Sequence, residues 1–508
     1  MPEKREYTGI FAPAAGLNFH IPSTMISNEE TPSCDNVILD RNVVKKGRGA
    51  KVLGDTANTP LASAVMAMNS SNDKLIIHTL DTTYSYVSGS TFTDISDAPF
   101  TGTDTNFYSA QVMEGEYIFT NGVDAARTWD FVAANVSVLG GLLNKRPKVL
   151  LVFGERMCYY NYVEGGNTFP TTNLFSIIGD PADITGPGSG EDDLANIMAG
   201  DDEILNAKKL GGYVIIYGGK SIVIQEYRGD VNNPFSYTLR IPDKGLAAPR
   251  ALINIDGRKH IFLGLDDIYV YTGGSELGNL GPKVRDELFD TMNPENISKS
   301  FMEYTPREKK FRLYYPKNDS TTPNAYIEYY LDEEKWSKGT GEFTAVGSYI
   351  RPSDLTWNTA EGTWDDNLGT WDSIGNLSQA EINILGDENG TIYTSEDSLN
   401  QKGSAYDANW QTKDFTTGPG YRRTLTHWLE VYFEARGSSV TISTSVDEGV
   451  SWEEHSTVTL TSGWEKYRLD MFINADQLRL RFRNNTIGQT FELRQLELGY
   501  RRASDRGN

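Results

Sequence analysis

Between residues 75 and 394 one design recurs seven times: an apolar strand, a tight turn rich in Gly, Asp or Asn, and a second strand rich in aromatics. The copies are 75–80 into 84–87, 117–120 into 127–129, 149–153 into 157–160, 213–217 into 221–225, 260–263 into 268–271, 311–315 into 326–331 and 382–385 into 391–394. Turns such as Gly154-Glu155, Gly218-Gly219, Asp266-Asp267 and Asp387-Glu388-Asn389-Gly390 suit hairpins, because Gly, Asn and Asp tolerate positive φ. The copies begin about 50 residues apart on average, close to the roughly 40–50 residue blade period of propellers, and their uneven spacing marks inserted loops. The expectation is an all-β chain with a β-propeller-like body. Propellers host many unrelated functions, so function has to be read from other residues.

A chain of 508 residues is too long for one core. Residues 1–55 are expected to form a polar arm followed by a hairpin, with Val37, Ile38 and Leu39 facing Val43 and Val44. Residues 56–400 form the propeller, with insertions at 165–205 and 351–378, and residues 401–508 a β-sandwich of jelly-roll-like type. In the last segment Leu478, Leu480 and Phe482 alternate with Arg479, Arg481 and Arg483, the period of a strand with one buried face. One short helix is expected near 283–292. The insertion at 351–378 holds Trp357, Trp364 and Trp371 at a spacing of seven, interleaved with Gly362, Gly369 and Gly375. Mid-helix glycines each cost about 1 kcal/mol relative to Ala, so this repeat reads as stacked turns, with a sugar-stacking platform as the other reading.

The most specific local motif is Ser445-x-Asp447-x-Gly449-x-x-Trp452, an Asp-box. Physically it is a hairpin lock: the carboxylate accepts turn amides, the glycine takes positive φ and the indole covers the turn. It is not a catalytic signature. The five histidines are scattered without metal-ligand spacing, and no Gly-rich phosphate loop precedes a helix. No catalytic, cofactor or metal site is therefore expected. The two cysteines, Cys34 and Cys158, read as inert buried thiols, and no apolar run is long enough to span a membrane.

The net charge is −22, from 69 acidic and 47 basic residues. Such a surface repels duplex DNA rather than neutralising phosphates. Two local clusters stand out. Lys45, Lys46, Arg48 and Lys51 suggest contacts to an acidic neighbouring subunit, against the plainer reading of a solvated turn. Glu191, Asp192, Asp193, Asp201, Asp202 and Glu203, within the insertion at 165–205, are expected on a rim or lumen surface.

Three stretches resemble the tail nozzle proteins of short-tailed bacteriophages, the β-propeller "tail tubular protein B" type. They are Asp35-Asn36-Val37 through Lys46-Gly47-Arg48-Gly49; Lys244-Gly245-Leu246-Ala247-Ala248-Pro249-Arg250 with the hairpin that follows it; and 326–336, ending in Lys335-Trp336-Ser337. Asp267 stands where a turn glycine is more usual. The resemblance implies a structural virion protein without catalysis or cofactor. It would be assembled in the bacterial host cytoplasm as a ring, a hexamer, docked on a portal–adaptor ring. Tail fibres or receptor-binding proteins would be further partners, and genomic DNA would pass through during ejection without specific binding. The competing expectation is an Asp-box-containing carbohydrate-binding or glycan-cleaving propeller.

Overall fold

The computed structural model describes residues 5–53, 60–87, 90–350, 381–417 and 425–502. The tryptophan repeat lies outside these residues. Each of the seven strand pairs read from the sequence falls in its own four-stranded antiparallel sheet, a propeller blade. The innermost strands of blades one to six are Val65–Ser71, Ser109–Met113, Lys145–Phe153, Ile204–Leu210, Leu252–Ile255 and Phe301–Thr305, and blade seven begins at Ala345–Ile350. Central strands are buried on both faces because each blade packs between two others. Val214, Ile215, Ile216 and Tyr217 of blade four, for instance, are all fully buried. That double burial is why these strands read as continuous apolar runs.

Residues 165–205 require a correction. Asn167–Phe175 and Gly190–Asp193 are the third and fourth strands of blade three, so much of this segment belongs to the blade rather than to an insertion. An outermost strand packs against little, and so needs no apolar alternation. Acidic side chains on such an edge also discourage pairing with another sheet.

Blade seven is closed from the other end of the chain. Its third strand, Ile392–Ser398, pairs with Gly49–Val52, so the fourth strand comes from residues more than 340 positions earlier. Contact is tight at the start of that strand: a Cβ on Gly49 would lie 2.3 Å from the Asn400 carbonyl oxygen.

The remaining strands form a sandwich of two sheets, built from both ends of the chain. One sheet runs Glu465–Ala475, Thr426–Gly437, Phe491–Arg502, Val43–Lys46, Val37–Asp40, with Glu6–Tyr7 added along Phe491–Arg502. The other runs Glu453–Thr459, Ser439–Ser445, Gln477–Asn484, Ala408–Gln411, Cys34–Asp35, with Phe415–Thr416 beside Gln477–Asn484. The expected boundaries at 55 and 401 are corrected accordingly. The strands at 6–7, 34–35, 37–40 and 43–46 belong with 408–502, Gly16–Leu17 and Glu30–Thr31 form a small parallel pair of their own, and 49–52 belongs with the propeller. The expected hairpin is present, with Leu39 opposite Val44.

Residues 5–31 are not a free arm either. Phe11, Ala14, Leu17 and Ile26 are buried, and Phe11 exchanges two backbone hydrogen bonds of 3.0 Å with Leu496. Leu478, Leu480 and Phe482 are fully buried against Trp410, Trp428 and Phe433, but the opposite face is not wholly exposed: Arg479 is buried as well, where it pairs with Asp414 (2.5 Å) beside Phe415–Thr416. Cys34 and Cys158 are free and buried, and burial pushes both thiols up to about 12. A short helix, Arg285–Thr291, occupies the expected place.

Ring closure at Gly49 yields a direct test. The methyl group of Gly49→Ala has no room without moving the closing strand, and overpacking of this kind costs about 1–3 kcal/mol. Denaturant unfolding of the full chain should show that loss. An unchanged midpoint would mean that this strand does not carry the closure.

Candidate functional site

The first strands of all seven blades surround one axial cavity of about 500 Å³. Its lining includes Met66, Asn69, Gln111, Leu151, Lys208, Arg250, Asn254, Phe301 and Val346. Arg250, the last residue of the stretch Lys244–Arg250, is the most connected of them. Its guanidinium donates to the carbonyls of Met66 (3.0 Å) in the inner strand of blade one, Thr344 (2.7 Å) just before blade seven and Lys299 (3.1 Å) just before blade six. It also lies 4.3 Å from the centre of the Phe107 ring, ahead of blade two, and 5.4 Å from that of Phe301. One side chain rooted ahead of blade five therefore touches four other blades near the starts of their inner strands. Lys208, also in the lining, donates to the Leu252 carbonyl of blade five at 2.7 Å. Burial lowers Lys208 to about 8 and Arg250 to about 9.

A second polar centre lies between blades six and seven. Lys310 pairs with Glu396 (2.7 Å), Glu308 (2.6 Å) and Glu328 (3.4 Å), and Arg312 pairs with Glu328 (2.5 Å) and Glu396. The Tyr330 hydroxyl donates to Glu328, and that of Tyr314 to Glu303 at 3.1 Å. Burial pushes the Glu396 carboxyl up, but Arg312 and Lys310 outweigh it and hold it at about 2. Glu303 is raised, mainly by burial. With every charged partner engaged, this cluster joins two blades; it presents no unengaged nucleophile or base to a cavity.

The Asp-box residues form the expected lock. Ser445 Oγ donates to Asp447 Oδ1 (2.7 Å) and accepts from the Gly449 amide (2.8 Å), while the Ser451 amide donates to both Asp447 oxygens at 2.9 and 3.1 Å. These donors, chiefly the Ser451 hydroxyl and amide, hold Asp447 at about 2. Gly449 has φ +90°, and Trp452 Nε1 donates to its carbonyl at 2.9 Å. Trp452 is only half-buried, its exposed face covered by the Arg481 guanidinium at 4.3 Å.

The basic turn divides. Lys46 is buried, and its ammonium donates to Asn484 Oδ1 (2.9 Å) and the Thr486 carbonyl (3.3 Å), so it ties the hairpin to the sandwich and is removed from the candidate contacts. Lys45 pairs with Asp40 at 2.6 Å, whereas Arg48 and Lys51 are exposed.

The acids divide as well. Glu191, Asp192 and Asp193 lie on the outermost strand of blade three, away from the axial cavity, and accept hydrogen bonds of 2.8 Å from Tyr162, Tyr237 and Thr171 respectively. Burial raises Asp192. Asp202 is buried and accepts from the Lys220 amide (3.1 Å) and the Ser221 hydroxyl (2.6 Å), which makes it a turn brace rather than a surface charge. Asp201 is exposed, and Glu203 pairs with Lys148 at 3.3 Å.

Among the described residues no group of three or more His, Cys, Asp or Glu side chains could hold a metal ion, and no helix is long and apolar enough to cross a membrane. Sequence reading missed the axial cavity and the Lys310–Glu396 cluster, since both join residues far apart in the chain.

No protein-family model matches the chain, and neither does any curated protein. Among solved structures it is similar to the WD40 domain of Pan2 from Neurospora crassa, at 9% identity and TM-score 0.39 over 70% of this chain and 97% of that one. It is also similar to the computationally designed Ika8 protein, at 10% and 0.35 over 66% and 98%. A further similarity is to PorZ of Porphyromonas gingivalis, at 11% and 0.35 over 78% and 46%. Likenesses this weak carry no argument about function. The class rests on the chain's own architecture: an all-β protein with a seven-bladed propeller and a sandwich.

The buried cluster gives a pH prediction. A carboxyl lowered on folding contributes stability above its unfolded value, and that contribution fades as pH falls through the folded one. The stability difference between the wild type and Glu396→Gln should therefore be full above about 4.5, the ordinary glutamate value, and shrink towards about 2. Urea melts of both proteins across that interval measure it. A difference that does not change with pH would show that Glu396 is not held ionised by Lys310 and Arg312.

Proposed function

We propose that the protein is a non-enzymatic virion component, the tail nozzle of a short-tailed bacteriophage, which forms a ring through which the genome leaves. The observation that carries this reading is that its three landmarks, in order, are all joints of this two-part architecture. In the first, Asn36 adopts φ +56° and clasps blade six: its amide donates to the Lys338 carbonyl (2.9 Å), and its side chain accepts from the Thr340 amide (2.8 Å). The second ends in Arg250, which ties five blades at the axis. In the third, Trp336 is buried against Phe311 and Tyr329, in the core that blade six shares with the sandwich.

In this reading the DNA path lies between copies. The cavity within one propeller is of small-molecule size, and a duplex whose major groove alone is about 12 Å wide does not fit it. Six copies at −22 each carry about −132, and wall charges within a Debye length, ~8 Å, keep DNA from adhering. Neighbouring copies and the portal–adaptor ring meet loops and sheet edges, with Arg48 and Lys51 as exposed cations for an acidic partner. Fibres or receptor-binding proteins attach to the assembled tail in the host cytoplasm.

Electron microscopy of the purified chain with portal–adaptor complexes tests the assignment. The expected result is a closed ring of about six on the complex and weak association without it. Arg48→Glu with Lys51→Glu should weaken docking, most at low ionic strength, where repulsion is least screened. A chain that stays monomeric with every such complex, yet binds glycans tightly, supports the carbohydrate-binding alternative instead.

A further inference from the structure

We propose that the axial cavity of each propeller binds a small phosphate-type oxyanion, held by the Lys208 ammonium and the Arg250 guanidinium. The inference is independent of the nozzle assignment. Its first support is composition. Acids outnumber bases 69 to 47 along the chain, yet the cavity lining contains Lys208, Lys209 and Arg250 and no Asp or Glu.

The second support is the bonding of the two cations. Lys208 donates to one backbone carbonyl and Arg250 to three, and among the described residues neither makes an ion pair. The Arg250 Nε is buried without a hydrogen-bond partner. Backbone carbonyls offset part of the cost of desolvating a cation but supply no net charge, and proteins normally pair such groups with a carboxylate. Here the missing negative charge is left to a ligand. Burial lowers both groups, yet Lys208, at about 8, is still mostly protonated at pH 7.

The third support is size and wall chemistry. A cavity of about 500 Å³ is within the range of small-ligand sites, and Asn69 and Gln111 are among the neutral polar residues that line it.

Titration calorimetry of the full-length protein at pH 7 and low salt tests this, with inorganic pyrophosphate as the probe. A parallel arm with ATP separates a free oxyanion from a nucleotide. The expected result is saturable binding at one site per chain, weakened at least tenfold in Lys208→Met and unchanged in Lys220→Met, an exposed lysine outside the lining. Pyrophosphate should also raise the melting temperature of the wild type and not that of Lys208→Met. If Lys208→Met does not fold, Lys208→Gln, which keeps a donor for the Leu252 carbonyl, replaces it with the same expectation. No saturable binding of either probe at millimolar concentration, or equal binding by the wild type and the Lys208 variant, overturns the proposal.

Discussion

A propeller is a ring, and this ring can close only by hydrogen-bonding the strand Ile392–Ser398 to Gly49–Val52. The rest of the architecture depends on that pairing. It brings residues 5–46 beside 408–502, so the sandwich has to be assembled from both ends of the chain, and its two sheets each contain strands from either end. Closing so long a loop is entropically costly, though the cost grows only logarithmically with length. The compensation is concentrated next to the seam. Glu396, in the irregular stretch of the closing strand between Thr394 and Ser398, turns towards blade six and meets Lys310 and Arg312. Removing one partner would strand a buried charge, so the cluster opposes separation of these two blades more strongly than it adds net stability.

Arg250 does comparable work at the axis by different means. Its guanidinium offers several donors in a rigid planar fork, and here they reach carbonyls at the starts of three blades while the face lies against Phe107 and Phe301. A lysine could not make these contacts at once, having one compact charged head and no planar face. The Pro249-Arg250 pair in the sequence is thus a constraint on the propeller's centre rather than a feature of its surface.

How much of this was legible in the sequence follows from how each strand is buried. Central strands, such as Val214 to Tyr217, are enclosed on both faces and announce themselves as apolar runs. Innermost strands border a polar cavity, and Ile204–Leu210 carries Asn206, Lys208 and Lys209 among its apolar residues, a pattern that reads equally well as a solvated edge. Outermost strands are two residues long in blades one, two and five, and acidic in blade three; neither form carries a period to detect. The sandwich was legible because Leu478, Leu480 and Phe482 alternate so regularly; the hairpin at 37–46 was legible too, but not its place in the sandwich, and Glu6–Tyr7 was read as part of an arm because two residues show no period. The Asp-box was legible as a motif, but the arginine that covers Trp452 comes from a neighbouring strand and leaves no local trace.

The same reasoning accounts for the distribution of charge. Acidic side chains sit where water or a donor can meet them: on the outer edge of blade three, in turns such as Asp202, and in the paired cluster at the seam. Unpaired cations occur where seven strands converge on an axis that no local sequence pattern encodes. Lys208 and Arg250 lie 42 positions apart on adjoining blades, and only the ring brings their heads to one cavity without a carboxylate between them. A net charge of −22 and an inner cavity without a carboxylate are therefore compatible in one chain, because the blades around the cavity are packed with apolar side chains.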